Sequence, residues 1–387
     1  MILSSRIRAT DAPPIPAARA WAARYDGRAG PALDLTQAVP GYPPPPALLA
    51  KLAEAAGDAA VAGYGPIAGD TALRDALAAE MSAFYGAPIG APAVAITAGC
   101  NLAFAMAMQV LAAEGDAVLL PTPWYFNHRM ALTMQGVRAI PIPTRAEDGF
   151  IPDPGRIAAL LAEHRPRAVV LVTPNNPTGA IYPAETIHAV AALCRQHGAA
   201  LVLDETYRDF LPAGAPPHAL FAEPDWGDVL VQLYSFSKAY CIPGHRVGAI
   251  AAGAGFMAEL AKALDTYQIC PARPAQAALA WAIPALRDWR AGNRALMEAR
   301  GSFFRGLVSQ LPGWRLDAIG TYFAYLRLPE GAPDALRAAE ILAAERGLMT
   351  LPGPFFGPGQ DRHLRLAFAN AAEAVLAELP GRLGAFS

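Results

Sequence analysis

A chain of 387 residues with 54% hydrophobic and 17% charged content can bury a large core, which argues against disorder. A net charge of −2 provides no basic field for nucleic acid or an anionic membrane surface. The four cysteines are widely spaced with no C-x-x-C pair, and there is neither an apolar leader nor an apolar run near the ~18 residues of a membrane span, so the sequence reads as metal-free, without disulfides, and cytoplasmic.

Residues 10–46 are proline-rich (Pro13, Pro14 and Pro16, then Pro40 and Pro43 to Pro46) and read as extended chain rather than element interior. Trp21, Tyr25, Leu33, Leu35 and Tyr42 would be costly to leave in water, so this arm is expected to lie over a domain or a partner. Residues 47–56 are helical in composition, and Gly63, Gly65 and Pro66 break that pattern. Asp70 or Thr71 then caps a helix in which Leu73, Leu77, Met81 and Phe84 recur at helical spacing.

From residue 93 strand and helix alternate. Residues 93–97, 117–120, 139–142, 168–172, 199–203 and 228–234 are apolar runs of strand length. Residues 101–113 are apolar on nearly every side and predict a buried helix. Residues 183–197 carry Ile187, Val190, Ala191 and Cys194 on one face and stop at Gly198. Such alternation predicts an α/β fold, a mainly parallel sheet with helices on both faces. Beyond residue 275, helices at 276–286, 293–311 and 334–346 surround a strand pair at 322–328 and 362–368, which predicts a smaller α+β domain. The expected division is 1–46 as an arm and part of the small domain, 47–275 as the large domain and 276–387 as the small one.

Ligands of parallel sheets sit beyond the carboxyl ends of the strands. Asn175 and Asn176, Asp204, and Ser235 to Lys238 all follow predicted strands there. Lysine occurs only at Lys51, Lys238 and Lys262, so a chain that writes its positive charge as arginine keeps a lysine at this edge. A desolvated lysine amine can lose its proton and condense with a carbonyl, which a guanidinium cannot; an ordinary surface lysine is the competing reading. Residues 97–101 join a strand to the buried helix, where free amide N–H groups and Gly99 suit a phosphate, or make a plain tight turn. Arg246, Ser235 and Ser237 add a fork and two hydroxyls to the same edge. Pro174 to Gly179 forms a rigid turn, either structural or holding an amide side chain still. Asp204, ending a buried strand, needs a positive partner, and the cationic ring nitrogen of a cofactor suits it.

In order along the chain, Gly63-Tyr64-Gly65, Gly69, Leu73-Arg74, Pro174-Asn175-Asn176-Pro177-Thr178-Gly179, Asp204-Glu205-Thr206-Tyr207, Ser235-Phe236-Ser237-Lys238, Pro243-Gly244-His245-Arg246-Val247-Gly248 and Arg365-Leu366-Ala367-Phe368-Ala369 resemble the signatures of the class I/II aminotransferases. These are fold-type-I enzymes of the aspartate aminotransferase superfamily, dependent on pyridoxal phosphate. The resemblance runs from about residue 33 to the C terminus. It implies a seven-stranded sheet in a large cofactor-binding domain, pyridoxal 5'-phosphate as cofactor, and an amino acid and a 2-keto acid as substrates.

The resemblance also implies roles. Lys238 would carry the cofactor through its amine and act as the base. Asp204 would pair with the pyridine nitrogen, and Asn176 and Tyr207 would bond the phenolic oxygen. Gly99, Cys100 and Asn101 through their backbone, with Ser235, Ser237 and Arg246, would hold the phosphate. Tyr64 would reach that phosphate from the other subunit of a homodimer with shared sites. Tyr125 would lie over the cofactor, and Arg365 would grip the substrate α-carboxylate. Asn176, Ala38 and Tyr125 would also border the substrate.

Three positions depart from the pattern. Ala38 stands where glycine is usual, and His245 where tryptophan or another residue is common. Asn101 stands where some relatives preferring dicarboxylates carry lysine. The residues placed near the substrate side chain (Ala38, Tyr42, Trp124 and Tyr322) carry no positive charge, so a neutral aromatic or aliphatic donor is expected. A C–S β-lyase would share every cofactor residue. A non-catalytic cofactor-binding regulator is disfavoured, because the residues before the match are proline-rich rather than helix-turn-helix.

Overall fold

The computed structural model describes residues 1–214, 216–384 and 386. In chain order its strands are β1 (Leu33–Asp34), β2 (Val94–Thr97), β3 (Ala117–Thr122), β4 (Arg138–Pro143), β5 (Ala168–Val172), β6 (Ala200–Asp204), β7 (Leu230–Ser235), β8 (Gly248–Ala252), β9 (Arg315–Gly320), β10 (Phe323–Arg327), β11 (Leu348–Met349), β12 (Leu351–Pro352) and β13 (His363–Leu366). Seven of them form the central sheet, ordered β2-β8-β7-β6-β5-β3-β4. Every other pairing in it is parallel, and β8 alone runs antiparallel to its neighbours β2 and β7.

The near-continuous apolar strands follow from burial on both faces. Val169 and Leu171 of β5 point into one core with Leu201 and Leu203 of β6, while Val170 and Val202 point into the other. Truncating one of these, as in Leu203→Ala, would cost about 2–5 kcal/mol. The expected buried helix is Cys100–Leu111, with Ala103, Phe104, Met106, Ala107 and Met108 buried.

Strand β8 has no β-branched run: its residues are Gly-Ala-Ile-Ala-Ala. A Cβ at Gly248 would lie 2.6 Å from the backbone of Gly99 and Cys100, so β8 must begin with glycine where it passes behind that turn. This packing explains why the residue patterns give six strands and not the seventh.

A second, antiparallel sheet has the order β12-β13-β10-β9. The helices Arg287–Val308 and Ala335–Arg346 contribute Phe304, Val308, Ala338, Ala339 and Leu342 to its core. Strand β9, interrupted by Asp317 and Gly320, escapes the sequence reading, and its pairing with β10 shifts register between Tyr325 and Leu326. Strand β1 pairs with β11, which brings Leu33 and Leu35 into this same core.

Two local expectations are corrected. The proline-rich stretch is not extended throughout, because Pro14–Ala22 is a helix. Pro14 and Pro16 fall in its first turn, where the amide protons they lack have no acceptor to lose. Asp70 does occupy the N-cap of Thr71–Tyr85, but its carboxylate makes no cap bond and accepts instead from Arg273 Nε at 3.0 Å. Among the described residues no helix is long and apolar enough to cross a membrane.

Candidate active site

The carboxyl ends of β5, β6 and β7, the N terminus of Cys100–Leu111 and the loop after β1 enclose a cavity of about 370 Å³. Ala38, Cys100, Asn101, Tyr125, Asn176, Asp204, Tyr207, Ser235, Ser237, Lys238, Arg246 and Arg365 line it. Gly99 sits just behind the wall. Its φ is +87°, and a Cβ there would lie 2.3 Å from Arg246 Nη2, so glycine lets the guanidinium close over the helix start. Tyr64 is 81% exposed and does not line the cavity of its own chain.

The turn after β5 assigns its two asparagines different work. Asn175 Oδ1 accepts from Thr178 N and Oγ1, and its Nδ2 donates to Tyr182 Oη at 3.2 Å, so it holds the turn. Asn176 Oδ1 faces the cavity and accepts from Arg365 Nη1 at 3.0 Å.

Asp204, at the end of β6, is 4% exposed. Its Oδ2 lies 3.2 Å from His128 Nε2, and its Oδ1 accepts from Thr206 N at 3.0 Å. Desolvation pushes this carboxyl up, but the hydrogen bond and charge of His128, with the hydrogen bonds of Thr206, outweigh it and hold the group below its usual range. His128 stacks on Phe104 with ring centroids 3.9 Å apart. The sequence reading missed His128, and its only signal is a histidine three residues after Tyr125 on the helix Phe126–Gln135. Asp204 therefore has a protein partner as well as an open side toward the cavity.

Ser235 ends β7 and caps the short helix Phe236–Ala239, its Oγ accepting from Ser237 N at 3.3 Å. That turn carries Lys238, whose Nζ donates to Ala38 O. Desolvation, then the charges of Arg246 and Arg365, lowers the amine from 10.5 to about 8. Tyr125 Oη donates to Asn101 Oδ1 at 3.4 Å and accepts from Asn127 Nδ2 at 2.8 Å. Burial raises Tyr207 well above its ordinary value, and its ring packs on Tyr322 and Phe323. His245 is exposed beside Arg246, outside the cavity lining.

Arg365, on β13, is 2% exposed and lies between the rings of Phe323 and Phe356, at 5.0 and 5.1 Å. It donates to Asn176 Oδ1 and Thr36 O, and among the described residues no carboxylate pairs with it. Desolvation lowers it to about 10. Thr36, Gln37, Val39, Ile15 and Phe126 also line the cavity. None of these five was singled out from the sequence: the place of Ile15, Thr36, Gln37 and Val39 depends on how the arm folds back, and that of Phe126 on where the helix Phe126–Gln135 starts.

Residues 31–383 match the family model described as aminotransferase class I and II. The chain is 30% identical over 388 residues to an aromatic aminotransferase of Arabidopsis thaliana, an alignment covering 99% of this chain and 95% of that protein. It is 31% identical over 333 residues to an arginine–pyruvate transaminase of Pseudomonas aeruginosa, with 84% of each chain covered. The solved aspartate aminotransferase of Thermus thermophilus with maleate is similar at a TM-score of 0.90 and 26% identity, covering 99% of this chain and 98% of that one. With the family model spanning nearly the whole chain and the polar strand ends gathered in one cavity, this protein belongs to the class I and II aminotransferases.

Proposed function

We propose that this aminotransferase works with pyridoxal phosphate held at Lys238 and moves the amino group of an uncharged L-amino acid to a 2-keto acid. The observation that carries the reading is Arg365, a buried guanidinium without a carboxylate partner among the described residues, facing the same cavity as a lysine of depressed pKa. Burying an unpaired cation is unfavourable by several kcal/mol, so the wall is built for an anion that arrives with the substrate.

The residues fit a phosphorylated pyridine aldehyde. Gly99 has no room for a Cβ against Arg246, and the Ser235 and Ser237 hydroxyls line the same cavity, as a phosphate requires. Asp204, kept ionised by His128, suits a protonated ring nitrogen, and Asn176 and Tyr207 suit the phenolic oxygen. Pyridoxal phosphate supplies an electron sink for the bond broken at the substrate Cα. Lys238 Nζ, easily deprotonated in its desolvated position, removes and returns the Cα proton. Arg365 binds and orients the α-carboxylate with its planar fork. Tyr125 covers the site against water.

The cations of the cavity are Lys238, Arg246 and Arg365, each with one of these tasks. Asn101 at the mouth is an amide, and Arg273 is held by Asp70 at 3.0 Å outside it. A second substrate carboxylate would thus lack a partner, which supports a neutral donor. Exposed Tyr64, Tyr267 and Ile269, at 81%, 59% and 47%, support a homodimer in which Tyr64 completes the partner's site. The four cysteines are free, in keeping with a cytoplasmic setting.

The test combines labelling with product analysis. Borohydride reduction should fix the cofactor to Lys238 in peptide mass spectrometry, and incubation with a neutral donor and 2-oxoglutarate should yield glutamate. A label on Lys51 or Lys262 would refute the assignment, and release of ammonia with keto acid in place of glutamate would make the enzyme a lyase.

A further inference from the structure

Beyond Phe126 lies a second cavity that the chemistry above leaves unused. Its volume is about 790 Å³, against about 370 Å³ for the reaction cavity. Phe126 lines both. On either side of this wall the chain passes from one cavity to the other within a single residue: Tyr125 and Ile15 line the first, Trp124 and Pro14 the second. The wall is one side chain thick. Phe126 is half-buried and packs against Tyr125 and Phe356, with ring centroids 5.0 and 5.8 Å away.

The lining has a definite chemistry. Trp124, Phe126, Phe355, Met130, Pro14 and Ala17 offer flat or polarisable apolar faces. Gly357 has φ +118°, and a Cβ there would come within 3.1 Å of the Trp124 ring, so the glycine leaves the indole uncovered. The ionisable side chains of the lining are Arg129, paired with Asp11 at 3.2 Å, and Asp361. Their sum is one negative charge, so an anionic tail would meet repulsion and no free cation.

The reaction cavity is at the small end of the ~300–1,000 Å³ typical of ligand sites. Its charged groups are taken by the cofactor and the α-carboxylate in the reading above, on which this step rests. Volume for a large side chain on the same substrate adjoins this cavity just past Phe126. We infer that the cavity beneath helix Pro14–Ala22 is the side-chain subsite, with Phe126 as the wall it passes, and that the donor carries a large uncharged aromatic side chain.

The experiment uses the holoenzyme with 2-oxoglutarate as acceptor and phenylalanine, tyrosine, alanine and aspartate as donors. The aromatic donors should exceed alanine and aspartate by at least about tenfold in kcat/KM, the scale of a filled apolar subsite. Filling the cavity with Ala17→Phe, or from the sheet side with Ala139→Leu, should lower the phenylalanine-to-alanine ratio about tenfold. A second readout needs no turnover: 3-phenylpropionate should bind the holoenzyme at least about ten times more tightly than propionate or succinate by titration calorimetry, and less so in either variant. Transfer that ignores side-chain size, or folded variants with an unchanged ratio, would overturn this inference alone. Absence of transfer from every donor would overturn the aminotransferase reading and this inference with it.

Discussion

Replacing Lys238 by methionine should stabilise the cofactor-free protein at neutral pH. In the fold the amine titrates at about 8 instead of 10.5, because burial and the charges of Arg246 and Arg365 disfavour its protonated form. At about 1.4 kcal/mol per unit, that difference is about 3 kcal/mol of penalty when the amine must be charged in the native state. The bond from Nζ to Ala38 O is lost in the variant, which returns about 1 kcal/mol, so the net gain should be about 2 kcal/mol at pH 7. The sign follows from proton binding. Between the folded value near 8 and the unfolded value of 10.5 the unfolded chain holds more protons, so wild-type stability rises with pH across that window. Below it the whole penalty is present, and above it none remains. Urea unfolding of dialysed, cofactor-free protein at pH 7, 9 and 10.5 should therefore show the advantage of Lys238→Met shrinking with pH and turning into a deficit of up to about 1 kcal/mol at the top, where the lost bond to Ala38 O outweighs what is left of the penalty. Other titrating groups are common to both chains and cancel in the difference. A stability difference independent of pH, or a variant less stable at pH 7, would show that Lys238 is not desolvated.

Asp204→Ala should still bind cofactor, more weakly, and lose most of its turnover, because an unpaired ring nitrogen sheds its proton; near wild-type rates would sink that role. His128→Phe keeps the stack on Phe104 but removes the partner of Asp204 Oδ2, and should lower unfolding free energy by about 1–3 kcal/mol at pH 7 in urea titrations, where an unchanged midpoint would contradict the pairing. Arg365→Lys should weaken all amino acids by a similar factor, since it touches the part they share, and single-turnover rates that change for one side-chain class only would count against it. Tyr64→Phe and Lys238→Ala chains, mixed under subunit exchange, should form dimers with one site bearing both defects and one bearing neither; activity never rising above the sum of the parents would argue against shared sites.

What the sequence determined by itself is local. Strands buried on both faces announce themselves as short apolar runs, and the turn after each carries the residues whose chemistry is unusual there. That Asp204, Ser235 and Lys238 would meet at one edge was legible because each ends or closely follows such a run. Composition could not show β8, a strand with one β-branched residue that opens on Gly248, where the backbone of Gly99 and Cys100 leaves no room for a Cβ. Nor could it separate Asn175 from Asn176, adjacent in sequence, since one bonds its own turn and the other reaches Arg365, 189 positions away. The tertiary structure decided the partners: His128 for Asp204, Thr36 for Arg365, and the proline-started helix Pro14–Ala22 that roofs the second cavity. Strand period and turn chemistry act within a few residues, whereas which charge meets which depends on the order of strands in the sheet and on where the arm folds back, and neither is written in any one stretch of chain.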